Sequence, residues 1–264
     1  MSSRLALITG ASAGIGAAFA RIYAAHGYDV ALTARRVDRL EALADELRLR
    51  HGVGAIIIPA DLADPGAPDA LVSQVAAHGR SIDALINNAG YGIAASYAET
   101  SWEDQRAFIQ VMLSAVCELT HKVLPGMLER RFGRIVNVAS LAGLLPGSAH
   151  TGLYGPTKAF LVKFSQGLHL ETAAAGVHVC ALCPGFTYSE FHEANQLPAR
   201  DQIPAWLWQG ADEVAAAGYE AAEANRALCV PGAQNKAIAA LMRFIPDEWV
   251  MALISRRAGR AAQN

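Results

Sequence analysis

Short apolar runs alternate with longer amphipathic stretches along the whole chain. Most of the apolar runs are continuous rather than interleaved with polar residues, which is typical of strands buried on both faces of a parallel sheet. Seven runs predict strands at Leu5–Thr9, Asp29–Ala34, Ala55–Pro59, Ala84–Ile86, Arg134–Ala139, Val177–Leu182 and Ala227–Val230. The stretches between them predict helices at Ile15–His26, Arg36–His51, Ala67–His78, Glu103–Arg130, Gly155–Ala175 and Ala211–Asn225. Repeated strand–helix–strand units of this kind fold as a doubly wound parallel α/β sheet.

One segment fits no strand–helix unit. Tyr188–Gly210 holds two prolines and the large apolar side chains of Phe191, Trp206, Leu207 and Trp208. A loop of that length in a compact domain is usually functional, so the segment predicts an apolar lid over a pocket. A subunit interface is the alternative interpretation of the same aromatic residues. No Pro-, Gly- or Ser-rich linker divides the chain, which is therefore expected to form a single domain over residues 1–264.

The composition excludes several classes of protein. Of the 264 residues, 53% are hydrophobic and 17% are charged, which is the opposite of the balance found in disordered chains. The net charge of −2 gives no general reason to expect nucleic acid or an anionic membrane as a partner. The chain has no apolar run of about 20 residues and no signal-peptide pattern at its start. A soluble, cytoplasmic protein is the expectation.

A glycine-rich turn follows the first predicted strand and opens the first predicted helix. Its sequence is Thr9-Gly10-Ala-Ser-Ala-Gly14-Ile-Gly16. Gly10 permits a sharp turn, Gly14 lets the backbone approach a pyrophosphate, and Gly16 lets the helix pack closely against the sheet. The helix N-terminus adds free N–H groups and the positive end of the helix dipole. The turn therefore predicts a nucleotide-binding site, and a turn required only for packing is the alternative.

The spacing of these glycines and several later motifs resemble the classical short-chain dehydrogenases/reductases. The later motifs, in the same order as in that family, are Asn87-Asn88-Ala89-Gly90, Ser140, Tyr154-x-x-x-Lys158 and Pro184-Gly185. The resemblance covers about residues 4–190, and the motifs together are far more specific than any one of them. It implies an NAD(P)-dependent enzyme on a seven-stranded Rossmann sheet with strand order 3-2-1-4-5-6-7, assembled as a homodimer or homotetramer.

The end of the second predicted strand indicates which nicotinamide cofactor is bound. NAD enzymes favour a carboxylate there for the ribose 2′-hydroxyl, whereas arginine accommodates a 2′-phosphate. The resemblance places Ala34 at the carboxylate position, and Arg35 and Arg36 follow it directly. Because guanidinium groups bind phosphate through paired N–H bonds, NADP(H) is the expected cofactor. A solvated basic start to the next helix, with NAD(H) as the cofactor, is the alternative.

The resemblance also implies a series of cofactor contacts at the ends of the strands. The glycine turn would hold the phosphates. The segments after the second, third and fourth strands would contact the adenosine. The segment after the sixth strand would hold the nicotinamide carboxamide. The implied contacts are Gly10, Ser12, Gly14, Ile15, Gly16, Arg35, Arg36, Asp61, Leu62, Asn88, Ala89, Gly90, Tyr154, Lys158, Pro184, Gly185, Thr187 and Ser189. Plain structural turns are the alternative for the segments at Asn88 and Pro184.

Three residues form the candidate catalytic group. Tyr154 and Lys158 are four residues apart on a predicted helix, so they share one face. The pKa of a free tyrosine is about 10, and a nearby ammonium group is expected to lower it by favouring the phenolate. A phenol tuned in this way can exchange a proton with a substrate oxygen. Ser140 would donate a hydrogen bond to the same oxygen and stabilise its developing charge.

One position departs from the family pattern. The family has an asparagine in the helix before the serine, where this chain has Met112 within Gln110-Val111-Met112-Leu113-Ser114. A thioether cannot hold the relay water that the amide positions beside the lysine. Three interpretations stay open: proton exchange through another group such as Gln110 or Ser114, slow turnover, and loss of catalysis with retained cofactor binding.

No metal site is expected from the cysteines. The pair Cys180-x-x-Cys183 lies at a predicted strand, where residues three apart point to opposite faces. No second pair of cysteines or histidines has the spacing that would complete a zinc site.

The predicted function is NADP(H)-dependent oxidoreduction between a ketone and a secondary alcohol, on a small and apolar substrate. An NAD-dependent secondary-alcohol dehydrogenase and a non-catalytic nucleotide-binding protein are the alternatives. The sequence does not identify the physiological substrate or the direction of the reaction in the cell.

Overall fold

Seven strands of the structure lie at the predicted apolar runs. The computed structural model describes residues 3–93, 95–147, 149, 151–190 and 203–252. Its strands are β1 (Leu5–Thr9), β2 (Asp29–Thr33), β3 (Ala55–Ile57), β4 (Ala84–Asn87), β5 (Gly133–Val138), β6 (Val177–Leu182), β7 (Thr187–Tyr188), β8 (Gln209–Gly210) and β9 (Leu228–Cys229). Seven of them pair in parallel in the order β3-β2-β1-β4-β5-β6-β9, which confirms the predicted doubly wound Rossmann sheet with β9 as its seventh strand. The short strands β7 and β8 form a separate two-stranded sheet.

The helices follow the predicted pattern with two differences. They are α1 (Gly14–Ala25), α2 (Val37–His51), α3 (Ala67–Ala77), α4 (Trp102–Ile109), α5 (Ala115–Glu129), α6 (Tyr154–Thr172), α7 (Ala211–Glu223) and α8 (Ala233–Met242). The helix predicted over Glu103–Arg130 is present as the continuous helical stretch Trp102–Glu129, but an unpredicted π-helical turn at Gln110–Ser114 divides it into α4 and α5. Sequence analysis also missed α8, in which Asn235 is the buried residue, so that the helix lacks an apolar stripe.

The helices cover both faces of the sheet. On one face, α1, α2 and α7 pack on the strands through side chains such as Phe19, Leu40 and Val214. On the other face, α3, α5 and α6 pack through side chains such as Leu71 and Leu119. Adjacent strand residues alternate between these two cores, which is why buried parallel strands are apolar at nearly every position.

The same alternation separates the two cysteines at β6. Cys180 packs in the core beside α1, and Cys183 packs with Leu161 and Val162 of α6. Burial raises the pKa of both thiols, and that of Cys183 reaches about 12. Within the part of the chain that the structure describes, no group of three or more His, Cys, Asp or Glu side chains is placed to hold a metal ion.

The helical stretch Trp102–Glu129 is long and apolar enough to cross a membrane by length and composition alone. Its apolar character has another explanation in this fold. Val111, Leu119, Val123 and Met127 are buried in the core between α5 and the sheet. The stretch is therefore a core element of the domain.

The sheet order reverses between β1 and β4, and side-chain hydrogen bonds join these strands at that point. The Thr9 hydroxyl accepts hydrogen bonds from the backbone N–H groups of Asn88 at 2.9 Å and Ala89 at 3.0 Å. The Asn88 side-chain amide donates to the carbonyl oxygens of Thr9 at 2.9 Å and Gly10 at 3.2 Å. Ligands of open α/β sheets bind in the crevice at such a reversal, so these bonds fix the position of the candidate site.

Gly16 provides a test of this packing. A Cβ atom added at Gly16 would lie 2.3 Å from the Gly10 carbonyl oxygen and 2.5 Å from Nδ2 of Asn88. Gly16→Ala is therefore expected to lower the free energy of unfolding by about 1–3 kcal/mol, as overpacked cores do. Urea unfolding monitored by circular dichroism measures the change.

Gly167→Ala is the matched control, since Gly167 also lies in a helix but no described atom comes within 4 Å of an added Cβ. This control is expected to gain up to about 1 kcal/mol from the better helix propensity of alanine. Equal effects of the two substitutions would contradict the close packing at Gly16.

Candidate active site

A large cavity opens where the carboxyl ends of β1, β4, β5 and β6 meet. Its volume of about 1150 Å³ exceeds the roughly 300–1,000 Å³ of common ligand pockets, so it has room for a substrate beside a cofactor. The predicted catalytic and cofactor-binding residues that line it are Gly10, Ser12, Gly14, Ile15, Arg35, Arg36, Asp61, Leu62, Asn88, Ala89, Gly90, Ser140, Tyr154, Lys158, Pro184, Gly185, Thr187 and Ser189. Gly16 is not among the lining residues, because it packs beneath the turn.

Ser140, Tyr154 and Lys158 meet on one wall of this cavity. Ser140 follows β5 and caps a short 3₁₀ turn, where its hydroxyl accepts a hydrogen bond from the Ala142 N–H at 3.2 Å. Tyr154 is the first residue of α6, and the Ser140 side chain lies near enough to its hydroxyl to lower the pKa of the phenol. One turn further along α6, the Lys158 Nζ donates to the Val138 carbonyl oxygen at 2.7 Å and lies 5.6 Å from the centroid of the Tyr154 ring.

Burial determines the protonation of these two groups. It raises the pKa of the Tyr154 phenol above its ordinary value of 10.0, and the nearby Ser140 side chain offsets part of the effect. Burial also lowers the pKa of the Lys158 ammonium group from 10.5 to about 8. In this structure loss of hydration is the largest effect on the pKa of the phenol, and the lowering expected from Lys158 stays a prediction.

The end of the cavity at the glycine turn carries most of the charged side chains among the described lining residues. Arg36 donates to the Ser12 hydroxyl from Nη2 at 3.0 Å and from Nε at 3.3 Å, which joins the second strand end to the glycine turn. Arg36 also forms an ion pair with Glu190 at 2.8 Å. Sequence analysis missed Glu190, whose partner is 154 positions away and gives no local signal.

The end near Ser140 and Tyr154 is mainly apolar. Its lining includes Tyr91, Ile93, Ala107, Val111, Leu141, Leu145, Phe186, Leu207 and Ile238. Of the aromatic and aliphatic residues assigned to the predicted lid, Leu207 lines the cavity, whereas Trp206 is 65% exposed. Trp208 is buried and packs on Tyr188, with ring centroids 5.0 Å apart. Phe191 and the rest of segment 191–202 lie outside the described residues, so the lid stays a prediction.

Helix α8 contributes a residue that sequence analysis did not identify. Asn235 is buried and lines the cavity, and its Nδ2 donates to the Gln209 side chain at 2.8 Å and to the Pro231 carbonyl at 2.9 Å. A Cβ added at Gly185 would lie 2.5 Å from the Asn235 Oδ1. Asn235 therefore holds the Pro184-Gly185 turn against β8 and the loop before α8.

Comparison with known proteins agrees with this geometry. The family model for short chain dehydrogenases matches residues 4–198. The chain belongs to this family. It is 34% identical over 217 residues to the NADP-dependent 3-hydroxy acid dehydrogenase YdfG of Salmonella typhi. The matched region covers 82% of this chain and 81% of that protein.

Two solved structures of short-chain dehydrogenases and related enzymes share the fold over nearly the full length. A short-chain dehydrogenase from Sphingobium yanoikuyae in complex with NADPH is 31% identical, with a TM-score of 0.80 over 99% of this chain and 96% of that chain. The bulky-bulky ketone specific alcohol dehydrogenase from Comamonas testosteroni is 28% identical, with a TM-score of 0.75 over 99% of this chain and 95% of that chain.

Met112 distinguishes this short-chain dehydrogenase from the family pattern. It lies in the π-helical turn, is 1% exposed, and packs so closely under Gly90 that a Cβ added there would lie 2.9 Å from its Sδ. The buried thioether offers only a weak acceptor in place of an amide. Neither Gln110 nor Ser114 is among the described residues that line the cavity, so no contact supports either of them as a substitute for the asparagine.

The lowered pKa of Lys158 predicts a conflict between stability and activity. Its folded-state pKa of about 8 lies below the ordinary 10.5. Burial of the charged lysine therefore lowers the free energy of unfolding, and this penalty has its full size below about pH 8. The penalty disappears as the pH rises toward 10.5, because the lysine is then neutral in the unfolded chain as well. Lys158→Met removes the charge and keeps most of the stem. At pH 7 it is expected to raise the free energy of unfolding by about 1–3 kcal/mol, allowing for the lost bond to Val138.

Denaturant unfolding of both proteins at several pH values between 7 and 10 measures this effect. The difference between the variant and the wild type is expected to shrink above pH 8, while turnover is lost in the variant. A methionine variant that is less stable at pH 7, or a difference that does not change with pH, would contradict the lowered lysine pKa.

Proposed function

We propose that this short-chain dehydrogenase uses NADP(H) to interconvert an uncharged, apolar ketone and its secondary alcohol. The observation that carries the proposal is that Ser140, Tyr154 and Lys158 share one cavity with the glycine turn and with Arg36. A proton-transfer group and a phosphate-binding turn at opposite ends of one cavity suit a dinucleotide that reaches from one to the other.

The residues present fit a dinucleotide with a 2′-phosphate. No side chain caps the N-terminus of α1, so its first N–H groups are free to bind a pyrophosphate at the glycine turn. The residue after β2 is Ala34 rather than a carboxylate, and the Arg36 guanidinium lies at Ser12 in the same corner. The related structure from Sphingobium yanoikuyae contains NADPH, which supports the same choice here. When bound, this cofactor exchanges a hydride with the substrate carbon.

The chain's own residues supply the proton and hold the substrate oxygen. A phenol is protonated at neutral pH even at its ordinary pKa of about 10, and burial of Tyr154 raises its pKa further, so Tyr154 holds a proton that a ketone oxygen can receive. Ser140 lies near that phenol, and we assign it a hydrogen bond to the same substrate oxygen. The Lys158 ammonium group donates to the Val138 carbonyl oxygen and lies 5.6 Å from the centroid of the Tyr154 ring, and we assign it the ribose hydroxyls as well. Ketone reduction consumes this proton, and oxidation of the alcohol returns it to Tyr154.

The lining of the cavity limits the substrate. Its charged residues within the described ranges are Arg35, Arg36, Asp61, Lys158 and Glu190. Of these, Lys158 lies at the reacting end, and it already donates to Val138. Among the described lining residues no second cation lies near Tyr154 to pair with a substrate carboxylate, so an uncharged ketone fits this part of the lining better than the hydroxy acid named for YdfG. Apolar side chains such as Leu145 and Leu207 favour a bulky apolar substituent.

Met112 supports a second candidate function, which is cofactor binding without turnover. Its buried thioether stands where the family has an asparagine, and it cannot hold the relay water that would resupply a proton to Tyr154. An NAD-dependent dehydrogenase is the further alternative. A cytoplasmic location and a homodimeric or homotetrameric assembly stay predictions.

Tyr154→Phe tests the proposed proton donor. The variant keeps the ring and its packing but removes the exchanged proton, so the turnover number for ketone reduction is expected to fall by about 10²–10⁴-fold. The affinity for NADPH is expected to change little, because the phosphates and adenosine bind at the other end of the cavity. Absorbance at 340 nm follows turnover, and fluorescence titration measures cofactor affinity.

Wild-type protein assayed on the same panel of apolar ketones, with NADPH and with NADH, provides the reference. Turnover of the phenylalanine variant near the wild-type level would contradict the assigned role of Tyr154. Cofactor binding by the wild type with no turnover of any ketone would favour the non-catalytic candidate.

A further inference from the structure

Glu190 connects the segment after β7 to the arginines at the start of α2. Its carboxylate accepts a hydrogen bond from Arg36 Nη1 at 2.8 Å and a second one from Arg39. The other nitrogens of the Arg36 guanidinium donate to the Ser12 hydroxyl. We refer to Ser12, Arg36, Arg39 and Glu190 as the phosphate corner.

The position of Glu190 follows from the path of the chain. Its neighbour Ser189 packs directly on the glycine turn, where a Cβ added at Gly14 would lie 2.9 Å from the Ser189 Cβ. The segment that begins at the nicotinamide end with Thr187 therefore crosses the pyrophosphate turn and ends at the adenosine side. This path brings an acidic side chain to arginines that are about 150 positions away in sequence.

The carboxylate occupies guanidinium donors that a 2′-phosphate needs. The two arginines hold the pKa of Glu190 below its ordinary value through their hydrogen bonds, so the carboxylate is ionised at neutral pH. A phosphate monoester carries about −1.5 to −2 charges at pH 7, and two anions that share one pair of guanidinium groups repel each other. A ribose 2′-hydroxyl carries no charge and does not compete with the carboxylate in this way.

We propose that Glu190 determines how strongly this enzyme prefers NADP(H) over NAD(H), by competing with the 2′-phosphate for Arg36 and Arg39. Displacement of the carboxylate weakens NADP(H) binding. NAD(H) leaves the carboxylate on its arginines, where it neutralises their charge beside an unphosphorylated ribose. The chain can therefore accept both cofactors, with a smaller difference in affinity than its arginines alone would produce. This inference rests on the proposed use of NADP(H).

Calorimetric titration with two nucleotide fragments isolates the phosphate corner from turnover and from the nicotinamide end. The fragments are 2′,5′-ADP, which carries the 2′-phosphate, and 5′-AMP, which lacks it. Glu190→Gln keeps the size of the side chain but removes its charge, and it is expected to bind 2′,5′-ADP about 2- to 5-fold more tightly than the wild type. Binding of 5′-AMP is expected to stay unchanged. The same selective gain is expected for NADPH over NADH by fluorescence titration.

Glu41→Gln is the matched control, because it removes the same charge from an exposed position on α2. An unchanged or weaker affinity of Glu190→Gln for 2′,5′-ADP would overturn the proposal. An equal gain for 5′-AMP, or an equal gain in the Glu41 variant, would also overturn it, because the effect would then be one of overall charge. A wild type and a Glu190 variant that both bind the two fragments equally would contradict the NADP(H) assignment together with this proposal.

Discussion

The close contact between α1 and the glycine turn is the constraint on which the rest of the site depends. A side chain at Gly16 would collide with the Gly10 carbonyl and with the Asn88 amide, and that amide also holds the turn to the end of β4. The two strands therefore stay together where the sheet order reverses, and the crevice between them becomes the cavity. The uncapped start of α1 then faces this cavity from below the turn.

At the reacting end of the cavity, burial affects the pKa values of Tyr154 and Lys158 more than close charge pairs do. Tyr154 and Lys158 both lie near the start of α6, and the bond from Lys158 to Val138 fastens this part of the helix to β5. Loss of hydration raises the pKa of the phenol and lowers that of the ammonium group, so each group is shifted toward its neutral form. A protonated phenol beside Ser140 is the arrangement required for donation to a ketone oxygen. Met112 keeps the neighbouring volume apolar.

The parts of the structure that could be predicted are those with a local sequence pattern. The apolar runs at Leu5–Thr9 and Val177–Leu182 coincide with strands because both faces of a parallel sheet are buried. The π-helical turn at Gln110–Ser114 could not be predicted, since the apolar pattern continues through it. The lowered pKa of Lys158 and the pairing of Glu190 with Arg36 depend on burial and on contacts between distant segments, which no local pattern encodes.

Transfer of deuterium tests the central claim most directly, namely that the cavity joins a nicotinamide to the proton donor Tyr154. Wild-type protein incubated with an apolar ketone and NADPH deuterated at C4, as each of its two stereoisomers, would be analysed by mass spectrometry of the alcohol formed. The account predicts one deuterium on the carbinol carbon from one stereoisomer and none from the other, with the hydroxyl proton supplied by the protein and water. Alcohol without deuterium from either stereoisomer, or no alcohol with any ketone tested, would contradict it.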